Sequence, residues 1–470
     1  MEKNVRQSFE NGKNNTIGCF LILIINILIP AFHCPSDQNY MEEILRKESE
    51  ADTPGCEKIL CIDDNEDALI WRLRLIGCAQ KTVTLATFDL RVDDSGTDIL
   101  AAVYNAAERG VKVRLLIDGV YQMLFLEKSE VVQALAAHKN VEIRIYNPVT
   151  LKNIFRLNYR MHDKYLIVDD RMYMLGGRNT NDIFLGDRKT GINIDRDIMV
   201  YDTSFGNGDS LLELQDYFKQ VWNERCVSAR KAVSDETLYA LQYKQLQDRY
   251  AELKRAYTDI ENYEKWDQAT YEADKITLFH NGTQAGRKTP SILQIIEYLA
   301  SKGEEVIIQT PYVICNNHMY DVLRNIADKA ELKIILNAVE KGSNPWGCTD
   351  YLNHKKNILE TGADVYELMN HHAVHTKTIL VDGNISIVGS YNLDMRSTYL
   401  DTELMLVIES GQLNRHIREI ETEYMHKSKE VLSNGQETEG RLYKKKELDR
   451  NKDIFYRILR VVIRPFRHLL

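Results

Sequence analysis

HDKYLIVDDRMYMLGGRN (His162–Asn179) and HTKTILVDGNISIVGSYN (His375–Asn392) are two versions of one passage. Counted from each histidine, a lysine, an aspartate, a glycine and an asparagine recur at +2, +7, +14 and +17. The first copy therefore carries His162, Lys164, Asp169, Gly176 and Asn179, and the second His375, Lys377, Asp382, Gly389 and Asn392. A lone HxK means little, but five residue types at five shared offsets mark a duplication. On an extended strand, His and Lys two apart point to the same face. The apolar runs YLIV and TILV that follow predict a buried strand.

Outward from each copy the pattern alternates between strand and helix. In the first half a helix is expected near Glu66–Ala79, then TVTLATF (Thr82–Phe88), a helix near Gly96–Arg109, KVRLLID (Lys112–Asp118) and VEIRIY (Val141–Tyr146). Asn147–Tyr159 is expected to be a loop, opened by Asn147-Pro148. The second half repeats the order with SILQIIEYLASKG, EVIIQT, LKIILN and DVYEL ahead of its own motif. This alternation predicts an α/β layer architecture. Two similar halves form an intramolecular pseudo-dimer with the site at their interface. The expected organisation is an N-terminal segment over 1–55, a first half over 56–226, a helical linker over 227–274, a second half over 275–430 and a basic tail over 431–470.

If the halves meet about a two-fold axis, two histidines, two lysines and two asparagines converge. Lys164, Lys377, Asn179 and Asn392 suit the non-bridging oxygens of a phosphodiester. Two histidines in opposite protonation states suit displacement at phosphorus, one attacking and the other protonating the leaving oxygen. A histidine nucleophile needs its second ring nitrogen held by an acceptor. Aligning DRDIMVYD with DTELMLVI matches Asp197 with Glu403, at +35 and +28 from the histidines, and gives these carboxylates the orienting role. Asp169 and Asp382 are expected to be structural, capping a strand before a turn. No metal and no cofactor is required, because no His/Asp/Glu cluster with metal-ligand spacing stands out.

Composition narrows the partners. Sixty basic against 69 acidic residues give a net charge of −9. A general nucleic-acid footprint needs a basic surface, so no nucleic acid is expected. Eight cysteines are too sparse for a disulfide scaffold. The charge is uneven, however: Lys444–Leu470 carries a net +6, leaving −15 on the remainder. In this tail Ile454, Phe455, Ile458, Leu459, Val462 and Ile463 recur at helical spacing among arginines. Two readings stand: a helix lying on an anionic lipid surface, or one packed on the protein's own body. Near the N-terminus, IGCFLILIINILI (Ile17–Ile29) fits a signal-peptide core or a membrane anchor. The absence of a small-x-small cleavage site favours an uncleaved anchor, and basic residues before the run weakly favour the remainder outside the cytoplasm.

The paired passages, HxKx4D followed by GGxN and GSxN, resemble the signature of the phospholipase D superfamily. RLRLIGCAQKTVTLATF, RGVKVRLLIDG, QTPYVI and NLDMRS are similar to the bacterial cardiolipin synthase group. The GGRN form, the DRD segment and the basic tail are most similar to its cardiolipin synthase C branch. The resemblance implies phosphatidyl transfer through a phosphohistidine, with phospholipid substrates, at a bacterial membrane surface. It implies His162 as nucleophile, His375 as acid, and Ser390 beside the asparagines as a phosphate ligand. Gly177 stands where the second copy has Ser390, so the serine's role is not symmetric. A hydrolytic phospholipase D and, less favoured, a nuclease use the same constellation. Oligomeric state is open.

Overall fold

The computed structural model describes residues 56–188, 190–232 and 236–470. The anchor expected at Ile17–Ile29 lies outside the described residues. Each half is a mixed nine-stranded sheet. In the first, Thr82–Thr87, Lys112–Asp118 and Val141–Tyr146 run parallel in sequence. Tyr165–Val168, Met172–Gly176, Asp197–Asp202 and Glu57–Ile62 then extend the sheet antiparallel from Thr82–Thr87. The second half repeats this with Glu305–Gln309, Glu331–Asn337 and Asp364–Leu368 parallel. Thr378–Val381, Ile385–Gly389, Leu404–Glu409 and Lys275–His280 form its antiparallel wing.

Helices form where the sequence supplies caps and an apolar stripe. Asp64 accepts from the backbone of Glu66 and Asp67 to start Asn65–Cys78, and Asp93 caps Asp94–Glu108 through Gly96. These helices and Ala240–Ala256 cover one side of the first sheet in a common core. A separate core lies on the corresponding side of the second sheet. A third is shared by the halves: Ile59, Leu116 and Tyr173 from the first sheet pack with Ile307, Leu380 and Leu404 from the second, together with helices Asp209–Trp222 and Gly411–His426.

The segment expected to be a helical linker is built into the first half. Val227–Ala229 adds an edge strand to the first sheet. On Ala240–Ala256, Leu246, Tyr250 and Leu253 are buried in the first half's core, and Tyr243 stacks on Tyr104. Helical spacing of these residues makes a docking stripe within a polar, Tyr-rich composition that conceals it. Ser428–Val431 and Glu437–Glu439 likewise continue the second sheet at the start of the supposed tail. The basic helix Arg450–Val462 packs on the protein's own body along one side only. Its Tyr456 and Leu459 are buried against the body, near Pro345–Leu359, while Phe455, Ile458 and Val461 are exposed. The two cysteines closest in sequence, Cys56 and Cys61, are unpaired.

Since Leu246 is 1% exposed inside the first core, Leu246→Ala should destabilise the fold by about 2–5 kcal/mol. The check is a lower urea midpoint, which would not move if this helix were a detachable lid.

Candidate active site at the seam between the halves

The HxK residues lie in extended chain just ahead of the strands, not on them as expected. The reason is that their backbone pairs with the opposite half. His162 N donates to Thr402 O at 3.2 Å and Thr402 N to Arg160 O at 2.9 Å. On the other side of the pseudo-two-fold, Ala373–Val374 runs parallel to Asn193–Ile194, and His375 N donates to Ile194 O at 2.6 Å.

This exchange delivers each histidine to a carboxylate from the other half. His162 Nδ1 lies 2.8 Å from Glu403 Oε1. His375 Nδ1 lies 2.7 Å from Asp195 Oδ2. Asp197, expected in that role, instead faces Arg72 and Arg178 at 2.9 and 3.2 Å. The sheet registers explain the two-residue slip. Gly176 pairs with Asp197 and Gly389 with Met405, so the counterpart of Glu403 is Asp195. Matching Asp197 to Glu403 implies seven extra residues in the first half, whereas the strand pairing leaves five. The signal was present in the sequence: DRD offers a second carboxylate two positions earlier.

Ser390 also has a different place from the one expected. Its hydroxyl donates to Glu403 Oε2 and accepts from Leu404 N, while Ser397 donates to Glu403 Oε1 at 2.6 Å. Ser390 therefore supports the carboxylate. A Cβ added at Gly177 would lie 2.2 Å from Asp195 Oδ1. The shorter aspartate fills the space that a serine there would need, which accounts for the Gly/Ser difference between copies.

Asp169 and Asp382 tie down the far ends of the motif strands. Both take left-handed backbone, φ 55° and 47°, a conformation Asp tolerates in turns. Asp169 accepts from the backbone of Gln80, Lys81 and Thr82, and Asp382 from Glu304 and Glu305. One residue missed in the sequence is Asp163, whose buried carboxylate accepts from Thr402 Oγ1 and Tyr217 OH, both at 2.7 Å. It fixes the segment that carries Glu403. Its only sequence signal is an acid between His162 and Lys164, where the second copy has Thr376.

The ammonium groups of Lys164 and Lys377 fold back onto the carbonyls of His162 and His375. Phe88 meets His162 edge-on at 4.7 Å between ring centres, and Phe184, from the insertion, meets His375 at 5.1 Å. Asn179 and Asn392 are buried, and the Oδ1 of each accepts no hydrogen bond. Burial, then Lys164 and Lys377, drives the His162 pKa well below its ordinary value. Burial and Lys377 lower His375 to about 4. Burial brings Lys164 down to about 7 and lowers Lys377 as well. At Asp195 burial, which raises the pKa, is outweighed by Lys377 and His375, and the carboxyl stays ionised. Burial raises Glu403, against the pull of Lys164 and the two serine hydroxyls. Four would-be cations crowded in a dry cleft resist protonation, and an anion between them would relieve that penalty.

The family model described as "Cardiolipin synthase, PLD-like domain" matches residues 73–222 and 295–424, more than half of the chain. The chain belongs to this family. It is accordingly a phosphatidyltransferase of the phospholipase D superfamily. Cardiolipin synthase C of Escherichia coli K12 is 25% identical over 420 residues, covering 79% of this chain and 86% of its own. An uncharacterised protein of Helicobacter pylori strain 26695 is 26% identical over 405 residues, 78% of this chain and 79% of its own. The crystal structure of phosphatidylserine synthase from Haemophilus influenzae Rd KW20 superposes with a TM-score of 0.60 at 14% identity, over 91% of this chain and all of the other. That likeness establishes the duplicated α/β fold.

Two neighbouring aspartates should separate cleanly. Asp195→Asn should leave the fold intact and lower turnover by about 10²–10⁴-fold, the range of a general acid–base contribution. Asp197→Asn should instead cost about 3–5 kcal/mol of stability by leaving Arg72 and Arg178 uncompensated. Denaturation and kinetics of both variants decide the assignment. A pH effect also follows. Below about 6.5 the unfolded chain protonates His375, while the folded chain refuses the proton until about 4. Stability should therefore fall as pH drops through that window. His375→Ala should flatten that part of the slope.

Proposed function

We propose that the chain makes cardiolipin by transferring a phosphatidyl group between phospholipids, with phosphatidylglycerol as one substrate, through a covalent phosphohistidine. The supporting observation is the crossed pair of histidine–carboxylate contacts flanked by two buried lysines. The similarity to cardiolipin synthase C supports the choice of lipid.

In this reading Lys164, Lys377, Asn179 and Asn392 bind the non-bridging oxygens of the donor phosphodiester. Bringing that negative charge into the cleft raises the proton affinity of a histidine beside it. Ionised Asp195 at Nδ1 stabilises His375 as the imidazolium, which makes it the acid. Glu403, held on both oxygens by hydroxyl donors, accepts a hydrogen bond from the His162 Nδ1–H, which keeps its proton there and leaves Nε2 with its lone pair. Nε2 attacks phosphorus, the bond to the headgroup oxygen breaks, and that oxygen takes the proton from His375. The now neutral His375 removes the proton of the acceptor hydroxyl. The hydroxyl oxygen attacks phosphorus, the phosphorus–nitrogen bond breaks, and His162 is restored.

Membrane association belongs to the same proposal. Among the described residues no helix is long and apolar enough to cross a membrane. The exposed Phe455, Ile458 and Val461 on a basic helix suit contact with an anionic lipid surface. The anchor at Ile17–Ile29, lying outside the described residues, is proposed on sequence alone.

Lipid mass spectrometry after incubation of the full chain with phosphatidylglycerol, alone and with phosphatidylethanolamine, tests the proposal. A diphosphatidyl product is expected, falling by about 10³-fold or more in His162→Ala and in His375→Ala, which remove a nucleophile and an acid–base group. Phosphatidic acid without any transfer product would identify a hydrolase. Full activity in both variants would refute the histidine mechanism.

A further inference from the structure

On the opposite side of Asp195–Asp197 from the catalytic cleft, three potential ligands converge on one point. Cys61 and Asp63 stand at the end of strand Glu57–Ile62 in the first half, and His416 on helix Gly411–His426 in the second. Cys61 Sγ lies 3.3 Å and His416 Nε2 3.6 Å from the same oxygen, Asp63 Oδ2, and all three ligand atoms fall within 4.8 Å of one another. For tetrahedral zinc with bonds of about 2.0–2.3 Å, neighbouring ligand atoms should sit roughly 3.4–3.6 Å apart. The Cys61–Asp63 and His416–Asp63 separations lie at or just beside that range.

We propose that Cys61, Asp63 and His416 form a zinc-type divalent metal site that staples the two halves together. Thiolate, imidazole and carboxylate are the donor set of a borderline ion, not of calcium or magnesium. The fourth position falls to solvent, reached past the half-exposed His416 ring. Asp63 is already oriented for the role. Its other oxygen, Oδ1, accepts from Arg196 Nε at 2.7 Å, the kind of outer contact that fixes a ligating carboxylate. The Arg196 charge does not oppose the ion unscreened, because Arg196 Nη1 meets Glu421 Oε1 at 3.0 Å and Thr378 at 2.9 Å. Binding displaces the thiol proton that Cys61 now donates to Asp63, and it goes to solvent. The site is structural: Arg196 joins it to Asp195, so an ion there would stiffen the strand that carries the His375 partner.

The test uses the full chain in detergent, stripped with chelator and titrated with Zn²⁺ and Co²⁺. One ion per chain is expected, with a thiolate-to-cobalt absorption band in the near ultraviolet and a higher thermal midpoint with zinc. Cys61→Ser should lose the band, and His416→Ala should weaken binding by about tenfold or more. His375→Ala, which alters only the catalytic cleft, should keep both. Circular dichroism of each variant separates lost binding from lost folding. No stoichiometric ion on the wild-type chain would overturn the site. So would binding that survives Cys61→Ser and His416→Ala but disappears in His375→Ala, since the ion would then sit among the catalytic histidines.

Discussion

The structure depends on the exchange of backbone hydrogen bonds between the approach to each motif strand and the other half. Met161 bridges to Thr402, and Ala373–Val374 pairs with Asn193–Ile194. These contacts are few, but they set the position of both histidines against carboxylates that belong to the opposite sheet. The shared core behind them, built from both sheets and two helices, holds the halves at the separation those bonds require. Neither half supplies both members of either histidine–carboxylate pair at the seam. The pseudo-dimer is therefore a condition of the site and not only its ancestry.

Burial governs the electrostatics of the cleft. Lys164 and Lys377 are 3% and 1% exposed, beside histidines pushed towards neutrality. Such an arrangement is unfavourable in isolation and becomes favourable around an anion. The carboxylates divide the labour: Asp195 stays ionised against His375, whereas Glu403 is drawn towards the neutral form by burial and back by its donors. The two sites thus differ in proton affinity: Lys377 and His375 hold Asp195 down against its burial, whereas burial of Glu403 outweighs Lys164 and the serine hydroxyls.

Much of this was legible beforehand. The identical offsets from His162 and His375 revealed the duplication, and the apolar runs after each HxK marked the motif strands correctly to within a residue or two. The histidine-to-carboxylate pairing was half legible. Glu403 followed from the alignment, but Asp195 did not, because an insertion between Asn179 and the next strand shifts the register and only strand pairing counts it. Ser390 was misplaced for a related reason: a hydroxyl near a phosphate motif looks the same in sequence whether it faces substrate or a carboxylate. The helix Ala240–Ala256 was expected, but its docking was hidden by composition, since its buried stripe is Gln242, Leu246, Tyr250 and Leu253 amid charges. Cross-half contacts such as Cys61 and Asp63 with His416 join residues more than 350 positions apart, and no local pattern encodes them.

Gly177 has a consequence for how the two halves can change. An Oδ1 of Asp195 occupies the volume where a side chain at 177 would begin, while across the pseudo-two-fold Ser390 fills that volume and secures the longer Glu403. Position and partner are matched within each half, so neither can be altered singly towards its twin. The duplicated units have become lock-specific counterparts: a grafted first-half motif would bring a cavity to Glu403, and a grafted second-half motif a collision with Asp195. The asymmetry between the two histidine–carboxylate pairs is in this way built into the packing, and drift at one position is constrained by the other.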